Sequence, residues 1–107
     1  MAEYITPPNH FGFKAKKVWG ESIKGELLDC TIAHIEPLGG GPKPMHQHPD
    51  HSHLFIVTEG VATIYQDGQK ITVKQEEAIY VDGSTLHSIW NEGDSRLTML
   101  GITIGHQ

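Results

Sequence analysis

Cysteine, positive charge and long apolar runs are all scarce in this sequence, and each scarcity removes a class of protein. Cys30 is the single cysteine, so an internal disulfide is excluded. At 107 residues the chain buries enough surface for one domain, residues 1–107, without a disulfide or a structural metal to brace it. Thirteen acidic residues against eight basic ones leave a net charge of -5, and the basic face that nucleic acid requires is missing. An anionic membrane surface is disfavoured for the same reason. No apolar stretch approaches the roughly 20 residues of a membrane span. No N-terminal segment joins a basic start to a long apolar run, so a soluble, cytoplasmic protein is expected. A helical stripe of apolar residues at 3.6-residue spacing is also absent.

What is present is strand and turn. Twelve glycines and six prolines punctuate short runs rich in Val, Ile, Thr and Tyr, the pattern of an all-β protein. Residues 1–13, with Thr6-Pro7-Pro8-Asn9-His10, lack periodicity and read as an extended N-terminal arm, with dimer contacts as one role open to it. Strands are expected at Ala15–Trp19 and Leu27–Ile35, with a turn at Gly25 between them. Glu36-Pro37-Leu38-Gly39-Gly40-Gly41-Pro42 is expected to be a loop, because proline lacks the ladder donor and glycine has nothing to pack. Gln66-Asp67-Gly68-Gln69 between two β-rich runs predicts a hairpin, since both central residues tolerate positive φ. Further strands at Ala78–Val81, Leu86–Trp90 and Arg96–Ile104 bring the count to about nine, which suits a sandwich or barrel.

The densest chemistry lies in Pro44-Met45-His46-Gln47-His48-Pro49-Asp50-His51-Ser52-His53, which holds four of the eight histidines. On a strand, His46 and His48 project to one face, the simplest way for a sheet to offer two imidazoles to one ion. Past the Pro49-Asp50 turn, His53 shares a face with Phe55 and Val57. Far along the chain, His87 shares one with Ile89 and Asn91. His51 has the parity of His53 and competes with it for the ligand role if the turn is one residue tighter. Otherwise it belongs at the barrel mouth.

These residues resemble a known family. Gly40, His46-Gln47-His48, His53 and Gly60 are spaced as in the first cupin motif, with His53 at a position where that family usually has glutamate. The stretch from Glu76 to His87, with Asn91, is similar to the second motif. There Glu76 replaces a usual glycine and Asp82 a usual proline, which leaves the path of the approach loop open. The resemblance covers about residues 25–105. It implies a double-stranded β-helix, a jelly-roll barrel, with one divalent metal ion held by His46, His48, His53 and His87, and a homodimer. Four neutral imidazoles would leave the ion its full +2 charge, making it a stronger Lewis acid that favours a small organic or anionic ligand. Imidazole suits zinc, iron, nickel and copper, and the family adds manganese.

Phe55, Val57 and Ile89 are expected as the apolar pocket wall around the metal, or simply as core. His34 is either a satisfied structural histidine or a proton shuttle in the pocket. Asn91 reads as a turn residue that fixes a strand end, and Cys30 as a small buried hydrophobe. Glu59, Glu76, Glu77 and Glu92 fall in turns, so no carboxylate pair offers general acid and base work. Three functions follow. The resemblance implies a metal-dependent enzyme on an enolisable or phenolic substrate: a dioxygenase, an isomerase or lyase, or a cyclase like those acting on aromatic polyketides. Its rivals are a non-catalytic module that binds a small anion through the metal, and a purely structural metal.

Overall fold

The computed structural model describes residues 3–19 and 27–105. Eight strands follow in order: β1 Phe11–Trp19, β2 Leu27–His46, β3 His51–Glu59, β4 Val61–Gln66, β5 Gln69–Lys74, β6 Ala78–Val81, β7 His87–Trp90 and β8 Leu97–Gly105. All pairings are antiparallel, and they form two layers that share one long strand. The first half of β2 lies between β1 and β8, with β3 and β6 beyond, while its second half joins β7, β4 and β5. This is an all-β jelly roll. Among the described residues no helix is long and apolar enough to cross a membrane.

The inward faces follow the period of 2 that strands impose. Phe13 and Ala15 of β1, Ala33 and Ile35 of β2, Phe55 and Val57 of β3, Ile64 of β4, and Leu97 and Met99 of β8 form one buried core. The expected hairpin is present: Asp67 and Gly68 both take positive φ, 50° and 73°, between β4 and β5. Asn91 fixes a strand end as expected. It is fully buried, its Nδ2 donates to the carbonyls of Ile35 and Ser95, and its Oδ1 accepts from the amide of Gly93.

Three expectations need correction. The 36–42 stretch is part of β2 rather than a loop. Its glycines mark a close crossing: a Cβ at Gly40 would strike the carbonyl of Ile89 and Cα of Trp90 in β7. The prolines cost only local pairing, because the register with β7 breaks between Gly41 and His46 and then resumes. Second, β1 begins at Phe11, so the arm is shorter, and Ile5 folds back to bridge Ala15. Third, Cys30 is half-buried on the outward face of β2 rather than enclosed. The expected turn at Gly25 lies outside the described residues.

Glu76, where the family usually has glycine, takes a φ of 69°. That is left-handed backbone, which glycine adopts without strain and which costs other residues of order 1–3 kcal/mol. Glu76→Gly is therefore expected to stabilise the protein by about 1 kcal/mol, and Glu76→Val to destabilise it. Chemical denaturation of the three proteins measures the order; a less stable glycine variant overturns the assignment.

Candidate metal centre

Strand ends from both layers bring five histidines together. His46 closes β2 opposite His87, which opens β7, and His51 and His53 open β3. His48 lies between, in the loop 47–50. The pair expected to share a strand face is therefore split. The cause is the turn at 82–85. The amide of His48 donates to the carbonyl of Gly83 at 2.6 Å, which draws it out of the ladder as the Pro49-Asp50 turn begins. Gly83 also donates its own amide to Ser52 Oγ at 2.9 Å. A Cβ at this glycine would collide with backbone oxygens of His51 and His48, so only glycine permits the clasp.

Hydrogen bonds to carbonyls fix two of the tautomers. His48 Nδ1 donates to the His51 carbonyl at 2.7 Å, and His87 Nδ1 donates to the Thr85 carbonyl at 2.9 Å, so each Nε2 keeps a bare lone pair. His48 Nε2 is buried with no hydrogen-bond partner among the described residues. Leaving such an atom unmatched costs about 1–3 kcal/mol, and a metal ion is a group that satisfies it. His46, His48 and His87 bring their ligand atoms within 4.8 Å of one another, as do His48, His51 and His53. Nitrogens around one ion at about 2.0–2.1 Å lie within roughly 4 Å of each other, so both sets approach the required spacing.

Ring orientation separates the ligand candidates. His48 meets His46, His53 and His87 nearly edge-on, at 79°, 85° and 78°. It stacks on His51 with ring centroids 3.9 Å apart and planes within 3°. A lone pair lies in its ring plane, so those of two parallel rings cannot converge on one ion. His51 Nδ1 is further engaged by Asp50 at 2.7 Å. His48 belongs to both sets, while His53 joins it only in the second and lies outside the set of His46, His48 and His87.

The electrostatics match that role. Burial lowers His46 to about 4, with help from His87, His48, His51 and His10, and lowers His53 to about 3, with help from the other cluster histidines. Burial likewise lowers His87, although its bond to Thr85 opposes the shift. These three imidazoles are neutral at pH 7, the form that binds metal.

Beside the cluster lies a cavity of about 260 Å³, lined by His46, His53 and His87 and by apolar groups including Phe13, Phe55, Ile89 and Met99. Among the described residues no carboxylate, lysine or arginine lines it. Of the expected pocket wall, Phe55 and Ile89 face the cavity, while Val57 sits beneath in the core, 1% exposed. His34 is placed outside the cavity: its Nδ1 pairs with Thr98 Oγ1 at 2.9 Å and its Nε2 with the Tyr4 hydroxyl at 3.1 Å. Sequence reasoning missed Pro7 and His10, which also line the cavity. The aperiodic arm carried no signal beyond a histidine flanked by a Pro-Pro turn.

An all-β jelly roll with a cluster of histidines beside a cavity is the class of fold that these strands define. The Cupin domain family model matches residues 32–103, and the chain belongs to the cupin family. Solved structures agree on the fold. A predicted oxalate decarboxylase from Thermotoga maritima superposes with a TM-score of 0.77 at 19% identity, covering 99% of this chain and 93% of that one. The polyketide cyclase RemF from Streptomyces resistomycificus gives 0.77 at 20% identity, over 97% and 72% of the two chains. An RmlC-like cupin from Shewanella frigidimarina gives 0.74 at 16%, over 100% and 86%.

A pH dependence follows from the depressed histidines. In the unfolded chain they titrate near 6.5, whereas in the folded, metal-free protein His46 titrates at about 4 and His53 at about 3. Between those values the unfolded state takes up protons that the folded state refuses. Stability is complete above pH 6.5 and declines as pH falls toward 3. Melting temperatures of chelator-treated protein from pH 8 to 4 are expected to fall more steeply than those of His53→Phe; equal slopes would show that His53 is not depressed.

Proposed function

We propose that this cupin is a metal-dependent enzyme acting on a small enolisable or phenolic substrate, with one divalent ion held by His46, His48, His53 and His87. The observation that carries it is a carboxylate-free cluster of imidazoles, with His46, His53 and His87 held neutral by burial and His48 carrying an orphaned buried nitrogen, beside an apolar cavity. When bound, the ion supplies a Lewis acid of undiminished charge that favours an anionic substrate oxygen. The chain's own groups do the rest. Phe13, Phe55 and Ile89 exclude water, and the carbonyls of His51 and Thr85 hold the ring tautomers of His48 and His87. Zinc would favour a cyclase or isomerase, and iron, copper, nickel or manganese a dioxygenase. The likeness to a polyketide cyclase supports the former in fold alone.

The absence of a carboxylate from the cavity wall among the described residues favours a second reading, a non-catalytic module that binds a small anion through the ion. A structural metal would instead predict unfolding on chelation. Elemental analysis of untagged protein identifies the ion, and oxygen uptake or product formation on 1,3-dicarbonyl and catecholic compounds separates enzyme from module. His48→Ala is expected to lower metal affinity by more than the roughly 10–100-fold cost of removing a group that only orients a ligand, with the fold retained by circular dichroism. Full metal content in that variant refutes the site.

The chain is further proposed to form a homodimer through the outward face of the first layer. Ile32 and Leu100, and Cys30, Ile102 and Leu54, are cross-strand neighbours there, all half-buried and uncharged. Lysines 14 and 16 flank one edge on β1, and Glu76 and Glu77 precede β6 at the other. A two-fold axis along the strands sets the basic edge of one copy against the acidic edge of its partner. Light scattering is expected to give twice the chain mass for the native protein and a monomer for Ile102→Lys; a native monomer removes the proposal.

A further inference from the structure

The metal proposal leaves one cavity histidine without a role. His10 comes from the N-terminal arm, lines the same cavity as His46, His53 and His87, and belongs to neither group able to hold an ion.

Its position is built rather than incidental. The bridge from Ile5 to Ala15 turns the arm back along β1. Asn9, at a φ of 62°, reverses the chain after Pro7-Pro8, and its carbonyl accepts from the amide of Lys43 at 3.1 Å. The arm sits so close to Gly41 that a Cβ there would meet the carbonyl of Asn9 and Cα of His10. The imidazole packs edge-on against Phe13, centroids 4.6 Å apart. Its Nδ1 donates to the Pro8 carbonyl at 2.8 Å. A carbonyl only accepts, so Nδ1 carries a proton, and in the neutral ring Nε2 is the acceptor.

The rest of the wall offers little polar recognition. Among the described residues, and apart from the histidines of the cluster, its polar side chains are Thr31 and Thr103, and Thr103 Oγ1 is already paired with His53 Nδ1 at 3.2 Å. We propose that His10 is a substrate-binding residue whose Nε2 accepts a hydrogen bond from a hydroxyl that the substrate carries beside its anionic, metal-seeking oxygen. This rests on the metal-dependent reading of the site and narrows it. The substrate is then a monoanion that retains a second O–H, as a singly ionised catechol does, rather than a simple carboxylate or a fully methylated phenol.

The test uses metal-loaded, full-length protein and two probes, catechol and 2-methoxyphenol, which differ by methylation of the second hydroxyl. Dissociation constants are measured by calorimetry for the native protein, His10→Phe and His10→Gln, with metal content checked in each. His10→Phe keeps an aromatic ring against Phe13 but removes the acceptor. It is expected to weaken catechol roughly tenfold, the scale of one hydrogen bond, and to leave 2-methoxyphenol and metal content unchanged. His10→Gln, which restores an acceptor oxygen, is expected to recover part of the loss. Equal weakening of both probes makes His10 a wall of the cavity only and overturns the proposal, as does no change for either. Native protein that holds metal but binds neither probe overturns the substrate class alone. Native protein that holds no metal defeats the underlying reading, and the role of His10 falls with it.

Discussion

The site depends on one close backbone contact between two loops. Gly83 accepts from the amide of His48, donates to Ser52 Oγ, and leaves no space for a side chain against His51. That contact fixes the 47–50 loop, and the loop places the His51 carbonyl where it takes the Nδ1 proton of His48. His48 Nε2 is thereby the ring nitrogen left without a partner, and His48 belongs both to the set of His46 and His87 and to that of His53. The ring at the centre of the site is thus oriented by backbone, which is stiffer than a side-chain partner. Any residue but glycine at 83 disturbs both loops at once.

Much of this was legible in the sequence, and what was not has physical causes. The hairpin at Asp67-Gly68 was readable because left-handed backbone is chemically marked. The grouping of His46, His48 and His87 was readable because the family's spacing survives here. The glycine run at 39–41 misled because glycine has two uses, turning and close approach, and only the position of β7 shows that Gly40 serves the second. His48 was assigned to a strand by parity, yet parity holds only while the ladder continues, and Gly83, distant in sequence, ends it. Val57 shares a face with Phe55 but lies deeper, since a strand face runs past the cavity into the core. The arm was beyond reach: nothing in Pro7-Pro8-Asn9-His10 reveals that Gly41 receives it.

Burial and charge act in one direction at the cluster. Mutual repulsion and loss of water both disfavour protonation of His46, His53 and His87. The same terms that would make a charged imidazole costly keep these rings neutral and available to a cation. The apolar wall of Phe55 and Ile89 strengthens the effect, because a lower local dielectric raises the cost of protonation and any ion–ligand attraction together.

Histidine at position 53 bears on the electrostatics of the chain itself. A carboxylate there would sit beside neutral imidazoles in an apolar cavity with no cation near it, and an unpaired buried charge costs several kcal/mol. It would have to take up a proton or disorder the start of β3. His53 carries no charge at neutral pH, and its Nδ1 pairs with Thr103 Oγ1. Within the cluster, the buried polar atom left without a hydrogen-bond partner among the described residues is His48 Nε2. Were an ion held there, as proposed, histidine at 53 would not neutralise part of its +2 as a carboxylate would, so more of that charge would be left to attract an anionic ligand.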